Sequence, residues 1–251
     1  MDASHHKVAL VTGSATGVGR ACALRFAESG YRVVVNYPGD DEAEAQETCR
    51  LISEVNSESL LLRCDVSSNS QVQAMVSQVA NKFGRLNVVV NNAGTTHFVP
   101  IDDLEAMDET KWDQIFAVNT KGPFFVARAC RRLLELESDA AIVNVSSVAG
   151  ISGFGSSIAY CASKGALNTI TKSLAKSLAP KIRVNAVCPG PINSRWLRQD
   201  MSEAEIEARI ATIPIPKLSQ PEDIAKTIFY LAVQASMTTG QLLVVDGGRT
   251  M

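Results

Sequence analysis

The regular alternation of short apolar runs with longer amphipathic stretches constrains the fold most. Seven runs, most of them rich in valine, isoleucine or leucine, lie at residues 8–11, 32–35, 60–63, 86–90, 141–145, 183–187 and 242–245. Runs without polar alternation are typical of strands that are covered on both faces. Helical periodicity fills the intervals, at about residues 18–29, 41–55, 69–82, 109–137, 157–179 and 220–234. This order predicts an α/β, doubly wound fold, in which helices flank a seven-stranded parallel sheet on both faces.

The chain has the size and composition of one domain. Its 251 residues are 46% apolar, and no linker, repeat or low-complexity segment divides them. We therefore predict a single domain over residues 1–251. Residues 191–220 break the alternation and carry a short helical pattern at 202–212. We interpret them as an insertion that forms a flap over a site at the carboxyl edge of the sheet.

Charge and composition argue against several classes of partner. The net charge is -2 and no basic cluster is present, which argues against nucleic acid. There is no uninterrupted apolar stretch of about 18 residues, so we expect a soluble protein that does not cross a membrane. The six cysteines are scattered, without the spacing of metal ligands, which indicates no metal site and a reducing, cytoplasmic environment.

A glycine-rich turn, Thr12 to Gly19, follows the first strand and opens the first helix. Gly13, Gly17 and Gly19 would let the backbone approach a pyrophosphate at the helix N-terminus. A tight turn without a ligand is the alternative. Asp65 ends the third strand, where it could accept a hydrogen bond from adenine or cap the helix that follows.

Tyr160 and Lys164 are four residues apart and would share one face of a helix, with Ser147 thirteen residues upstream. A free tyrosine needs a pKa shift of about 3 units, or about 4 kcal/mol, to exchange protons near neutral pH. An ammonium about 4 Å away supplies roughly that energy at an effective dielectric of about 20. The pair is therefore a candidate proton donor, although the same spacing is common on ordinary amphipathic helices.

Taken together, these residues resemble the short-chain dehydrogenase/reductase family over nearly the whole chain, most nearly its 3-oxoacyl reductases. The family's motifs occur here in family order: Thr12 to Gly19, Asp65, Asn91-Asn92-Ala93-Gly94, Asn119, Ser147, Tyr160 with Lys164, Pro189-Gly190, and Gly240-Gln241 followed by Val245 to Gly248. The resemblance implies a Rossmann domain that transfers a hydride between a nicotinamide and a ketone or secondary alcohol.

The resemblance also implies roles for four catalytic residues. Ser147 would hydrogen-bond the substrate oxygen, and Tyr160 would donate or remove the proton. Lys164 would hold the ribose hydroxyls of the cofactor and lower the tyrosine pKa. Asn119 would position a water that reaches Lys164 and relays protons.

The implied cofactor is NADP or NAD, with a weak preference for NADP. The residues expected to contact it are Gly13, Ser14, Thr16, Gly17, Val18, Gly19, Asn36, Asp65, Val66, Asn92, Ala93, Gly94, Tyr160, Lys164, Pro189, Gly190, Ile192 and Ser194. The second strand ends at Asn36 without the carboxylate that selects NAD. Thr16 stands where many NADP-using relatives carry a base, and Asp40 and Asp41 also argue against NADP.

The expected substrate pocket is largely apolar. It would be bounded by Thr95, His97, Ile151, Phe154 and Trp196, which suits a ketone or alcohol of moderate size, including a 3-oxoacyl unit. His97 is more typical of a pocket rim than of a catalytic group. Arg195 and Arg198 either receive an anionic substrate or form a solvated face of the flap.

Two alternatives stay open at the level of sequence: a dehydratase or epimerase on the same fold, and a non-catalytic cofactor-binding scaffold. The segments 109–137 and 157–179 carry more apolar residues than one buried helix face requires. Relatives in the family pair these helices across a two-fold axis and the C-terminal strands across another. The sequence therefore predicts a homotetramer.

Overall fold

The computed structural model describes residues 6–200 and 202–251, apart from the side chains of Trp196, Gln199 and Asp200. Within this part of the chain one parallel sheet has the strand order β3-β2-β1-β4-β5-β6-β7. The strands are β1 (Val8–Val11), β2 (Arg32–Tyr37), β3 (Ser59–Arg63), β4 (Val88–Asn91), β5 (Ala140–Val145), β6 (Ile182–Pro189) and β7 (Leu242–Val245). The predicted doubly wound sheet of seven parallel strands is confirmed.

Helices cover both faces of this sheet. They are α1 (Gly17–Glu28), α2 (Glu42–Glu54), α3 (Asn69–Phe83), α4 (Glu109–Phe116), α5 (Gly122–Leu134), α6 (Ala149–Ser152), α7 (Ile158–Leu178), α8 (Arg195–Asp200), α9 (Glu203–Ala211) and α10 (Pro221–Phe229). One core joins the sheet to α1, α2 and α10, and the other joins it to α3, α5 and α7.

The apolar runs of the sequence supply both cores at once. In β1, Val8 and Leu10 pack in the core that contains α3, while Ala9 and Val11 pack in the core that contains α1. Successive strand residues point to opposite faces, so every position of a doubly covered strand must be apolar. The chain adds β2 and β3 on one side of β1 and then adds β4 and the later strands on the other side. The order of the strands therefore reverses between β1 and β4, and a crevice opens there at their carboxyl ends.

The helical stretch predicted at about 109–137 is helical from Glu109 to Leu134 in the structure, but it is not one regular α-helix. The structure has α4, then a π-helical turn at Ala117–Lys121, then α5, which ends at Leu134. The segment predicted over 220–234 likewise ends in a π-helical turn, Tyr230–Gln234. A π turn is a single-turn change inside a longer helix, so a helical period read over the whole segment does not reveal it.

The segment between β6 and α10 leaves the carboxyl edge of the sheet and returns to the point where it left. A parallel bridge joins Ile192 to Ser219, and the Ser219 N–H donates to the Pro191 carbonyl at 3.2 Å, so the two ends lie side by side. The helical pattern at 202–212 corresponds to α9, which Ser202 caps reciprocally with Glu205. Helix α8 was not predicted, because it has only six residues and little apolar periodicity.

The described residues carry neither a candidate membrane span nor a candidate metal cluster. They include no helix whose length and apolarity would let it span a bilayer. They also include no cluster of three or more histidine, cysteine or acidic side chains that could hold a metal ion.

Candidate active site

A cleft of ≈ 1580 Å³ runs along the carboxyl edge of the sheet, where β1, β4, β5 and β6 end. The sequence-predicted residues that line it are Gly13, Thr16, Gly17, Val18, Asn36, Asp65, Val66, Asn92, Ala93, Gly94, Thr95, Ser147, Phe154, Tyr160, Lys164, Pro189, Gly190, Ile192 and Ser194. Those outside the lining are Ser14, Gly19, His97, Asn119 and Ile151. The Trp196 side chain lies outside the described residues.

Hydrogen bonds join the glycine turn to the segment after β4. The Thr12 hydroxyl accepts from the backbone N–H groups of Asn92 and Ala93, both at 3.0 Å. The Asn92 amide donates back to the Thr12 and Gly13 carbonyls, both at 2.9 Å. Gly13 has φ +61°, and a Cβ there would lie 2.9 Å from the Ala93 Cα. Glycine is therefore required where the two segments meet.

The N-terminus of α1 is suited to bind a phosphate. Its first N–H groups have no acceptor within the helix and carry the positive end of the helix dipole. Gly17 has φ +56°, and a Cβ there would meet no atom within 4 Å, so its backbone borders open space. The pyrophosphate of a nicotinamide dinucleotide fits this donor set.

The Asn36 side chain is hydrogen-bonded inside the fold through both its amide oxygen and its amide nitrogen. It is 1% exposed, accepts from the Gly13 N–H at 3.1 Å and donates to the Cys64 carbonyl at 2.9 Å. Asn36 nevertheless lines the cleft, and its contact with the cofactor stays a prediction. We expect Asn36→Asp to destabilise the turn, because a carboxylate cannot donate to Cys64; thermal denaturation measures the effect. An unchanged melting temperature would contradict this prediction.

A cation that sequence reasoning missed stands beside the loop after β2. In the sheet register Arg63 pairs with Tyr37, and its guanidinium lies 3.2 Å from the position of a Cβ built on Gly39. Only the register of two parallel strands places this β3 residue near the end of β2. Asp65, two residues further on, accepts from the Ser67 N–H at 2.9 Å and lines the cleft.

Tyr160 and Lys164 lie in the first two turns of α7. The Ser157 hydroxyl caps this helix by accepting from the Tyr160 N–H at 3.2 Å. Lys164 is 4% exposed, and its Nζ donates to the Val145 carbonyl at the end of β5 at 2.8 Å. Ser147 follows the same strand, so the tyrosine, lysine and serine converge where β5 meets α7.

Burial controls the titration of this cluster. It raises the pKa of Tyr160 to about 12, against a smaller lowering by hydrogen bonding to Ser147. It lowers the pKa of Lys164 to about 8. The Lys164 Nζ lies 5.7 Å from the centre of the tyrosine ring and is directed at Val145. Desolvation thus raises the tyrosine pKa in this cluster, and the lowering of that pKa by Lys164 stays a prediction.

Asn119 lies in the π turn between α4 and α5 and is fully buried. Its amide accepts from the Thr95 N–H at 2.8 Å and donates to the Thr95 carbonyl at 2.9 Å and to the Ser163 hydroxyl at 3.1 Å. Ser163, which sequence reasoning missed, in turn donates to the Tyr160 carbonyl at 2.8 Å. The π turn thus joins the loop after β4 to the helix that carries Tyr160.

Two of the residues predicted to contact the substrate do not line the cleft. The His97 ring is hydrogen-bonded to the Gln114 side chain at 2.8 Å, and Ile151 is 51% exposed. Thr95 and Phe154 do line it, and so does Phe98. Most of the loop after β4 lines the cleft, and the sequence does not show that His97 turns away to Gln114.

The fold and this cleft define a dinucleotide-dependent oxidoreductase. A family model described as enoyl-(acyl carrier protein) reductase matches residues 13–250. The 3-oxoacyl-[acyl-carrier-protein] reductase of Staphylococcus aureus strain Mu50 is 39% identical over 249 residues, which cover 98% of each chain. The chain belongs to the short-chain dehydrogenase/reductase family, as its motifs predicted.

Solved structures agree with this assignment. A Burkholderia xenovorans protein assigned to the short-chain dehydrogenases/reductases has a TM-score of 0.92 and 34% identity, with 98% of both chains covered. The acetoin dehydrogenase of Salmonella typhimurium has a TM-score of 0.85 and 33% identity, with 97% of both chains covered. The protein is therefore an oxidoreductase that acts on C=O and CH–OH groups with a nicotinamide cofactor.

Proposed function

We propose that the protein is an NADPH-dependent reductase of 3-oxoacyl thioesters. Tyr160 carries the proposal: its residue lines the cleft beside Ser147, and burial raises the pKa of its phenol to about 12. The phenol is protonated at neutral pH and so has a proton to give, and the positive charge of Lys164 would lower the cost of giving it. Proton donation to the substrate oxygen is what carbonyl reduction requires.

The bound cofactor would supply a hydride from its nicotinamide to the substrate carbon. Ser147 would donate a hydrogen bond to the carbonyl oxygen, and Tyr160 would give the same oxygen its proton as negative charge develops there. Lys164, whose pKa is lowered to about 8, carries substantial positive charge at neutral pH and would stabilise the phenolate left behind. Asn119 would hold the loop that faces this oxygen through its two hydrogen bonds to Thr95.

The choice of an acyl substrate rests on the mouth of the cleft. Phe98 and Phe154 line it and are 44% and 64% exposed. Two exposed aromatic rings favour an apolar chain that lies across them, and a four-carbon hydroxyketone such as acetoin would leave them bare. The Staphylococcus aureus relative carries the corresponding name. We further propose that residues 191–220 act as a flap over this chain.

The preference for NADPH rests on charge near the end of β2. Position 36, near the end of this strand, holds an asparagine and not a carboxylate, and the Arg63 guanidinium lies beside Gly39. An arginine near this point accommodates a 2'-phosphate, whereas NAD is usually selected by an acid. Asp41 lines the same part of the cleft and opposes this preference.

The direct test is NADPH and NADH oxidation, followed by absorbance, with a 3-oxoacyl thioester, acetoin and a simple ketone. We expect kcat/KM to be highest for the thioester with NADPH. A higher value for acetoin would contradict the acyl assignment, and a higher value for NADH would contradict the cofactor preference. Product formation without net cofactor oxidation would instead indicate a dehydratase or epimerase, and no reaction with any substrate would favour a scaffold.

We also propose that the protein forms a homotetramer in the cytoplasm. Its cysteines are free thiols, as is usual in a reducing compartment. In the described part of the chain β7 is an edge strand, and its Leu243 and Val244 are 38% and 39% exposed. Trp112 on α4 and Phe124 on α5 are 37% and 40% exposed. Exposed apolar residues on an edge strand and on helices are typical of subunit interfaces.

Light scattering coupled to size-exclusion chromatography should give the mass of four chains. We expect Val244→Asp to halve that mass, because a carboxylate cannot be buried without a partner in a contact between β7 strands. Val55→Asp is the matched control, since Val55 is equally exposed at 39% but lies between α2 and β3, the strand at the edge opposite β7. A wild-type mass of one or two chains would contradict the tetramer.

A further inference from the structure

Arg195, the first residue of α8, reaches from the segment after β6 back to the glycine turn. Its Nη2 donates to the Thr16 hydroxyl at 2.9 Å, and its Nη1 lies 3.8 Å from a Glu44 carboxylate oxygen. Thr16 caps α1, and Glu44 lies in the first turn of α2, directly after the loop that follows β2. The guanidinium therefore lies on the side of the cleft where the end of β2 positions a cofactor's ribose.

The charge of Arg195 is available to a ligand. Its side chain is 57% exposed and that of Glu44 is 44% exposed, so their long ion pair contributes little. Glu44 is bound independently by Arg20 at 2.7 Å, and Arg20 is also held by the Thr48 hydroxyl at 2.9 Å. Arg195 can leave Glu44 without stranding a carboxylate, and it lines the cleft.

The glycine turn, Thr12 to Gly19, contains no positively charged residue that could bind a phosphate on this side of the cleft. Residue 16 is a threonine, and the Asn36 amide is committed to Gly13 and Cys64. Arg63 stands beside Gly39 and is not part of the cleft lining, whereas the acidic Asp41 is. A dianionic group bound here would need a second cation, and the one that reaches Thr16 is Arg195.

We propose that Arg195 is a cofactor-specificity residue that binds the 2'-phosphate of NADPH next to Thr16. This inference rests on the proposed NADPH-dependent function. A planar guanidinium can bind two phosphate oxygens at once, and it already lies at hydrogen-bond distance from the turn. Because Arg195 belongs to the segment 191–220, the phosphate would also hold that segment against α1. NADH, which lacks the phosphate, would leave it held only by the weak contacts to Thr16 and Glu44.

The test compares Arg195→Gln, Arg195→Lys and Arg198→Gln. Arg198 is the matched control, because it is exposed on the same helix and pairs with Asn193 and Glu203 inside the segment. Dissociation constants are measured by fluorescence for NADPH, NADH, adenosine 2',5'-bisphosphate and 5'-AMP, without substrate. Limited proteolysis of the segment with each cofactor adds a readout that does not depend on affinity.

We expect Arg195→Gln to raise the dissociation constants of NADPH and adenosine 2',5'-bisphosphate by roughly 10- to 100-fold, because a charge-assisted hydrogen bond is lost. The dissociation constants of NADH and 5'-AMP should equal those of the wild type. Arg195→Lys should recover part of the affinity for NADPH, because it keeps the positive charge. NADPH should protect the segment from proteolysis in the wild type and in Arg198→Gln, and should not do so in Arg195→Gln.

Three results would overturn the inference. If Arg195→Gln lost the same affinity for NADPH and for NADH, Arg195 would bind the pyrophosphate that both cofactors share. If its affinity for NADPH were unchanged, Arg195 would not contact the cofactor. Neither result would affect the proposed reductase activity, which is measured separately on the wild type. A wild type that binds NADH but not NADPH would overturn both this inference and the proposed cofactor.

Discussion

Tyr160→Phe should lower turnover by at least about a hundredfold and leave the dissociation constant of NADPH nearly unchanged. The substitution removes one hydroxyl and almost no volume. That hydroxyl is the group placed beside Ser147, and the substituted ring has no proton to give. The measurement is kcat at saturating NADPH and substrate, with cofactor affinity determined separately by fluorescence.

Tyr230→Phe is the matched control for this prediction. Tyr230 lies in the π turn after α10 and is 47% exposed, outside the cleft lining. It should retain wild-type turnover. If Tyr160→Phe kept more than about a tenth of wild-type turnover, the proton would come from another group, and the proposed role of Tyr160 would be wrong.

The sheet could be predicted from the sequence because its strands are short, almost entirely apolar runs. A run such as Val88 to Asn91 is buried at every position, so it lacks the polar alternation of a half-exposed strand. The helices were less certain. The π turn at Ala117–Lys121 depends on tertiary contacts, including a site at Gly122 where a Cβ would lie 2.9 Å from Val66. No local pattern encodes that contact.

The position of the site could also be predicted, but its hydrogen bonds could not. Parallel strands deliver Ser147 and the glycine turn to one edge, and helical spacing adds Tyr160 and Lys164. The direction of the Lys164 ammonium depends on Val145, nineteen residues away, and the amide of Asn36 is held by Cys64, twenty-eight residues away. Such partners are set by packing between elements that are distant in sequence, so no local pattern predicts them.

The second large effect is expected from Gly19→Ala. A Cβ at Gly19 would overlap the Gly13 carbonyl oxygen and lie 2.6 Å from the Asn92 amide nitrogen and 2.8 Å from the Ser14 Cα. Two of these groups are backbone and cannot rotate away, so the turn must move. We expect the free energy of unfolding to fall by about 1–3 kcal/mol or more, and NADPH affinity to fall at least about tenfold.

Gly165→Ala provides the matched control for Gly19→Ala, because Gly165 lies inside α7 and a Cβ there would meet only the Gly150 carbonyl, at an ordinary 3.5 Å. Alanine favours a helix interior over glycine by about 1 kcal/mol, so this variant should melt at or above the wild-type temperature. Thermal denaturation and NADPH titration of both variants measure the contrast. Wild-type values for Gly19→Ala would mean that the turn does not pack against Asn92, and that cofactor binding does not depend on this close contact.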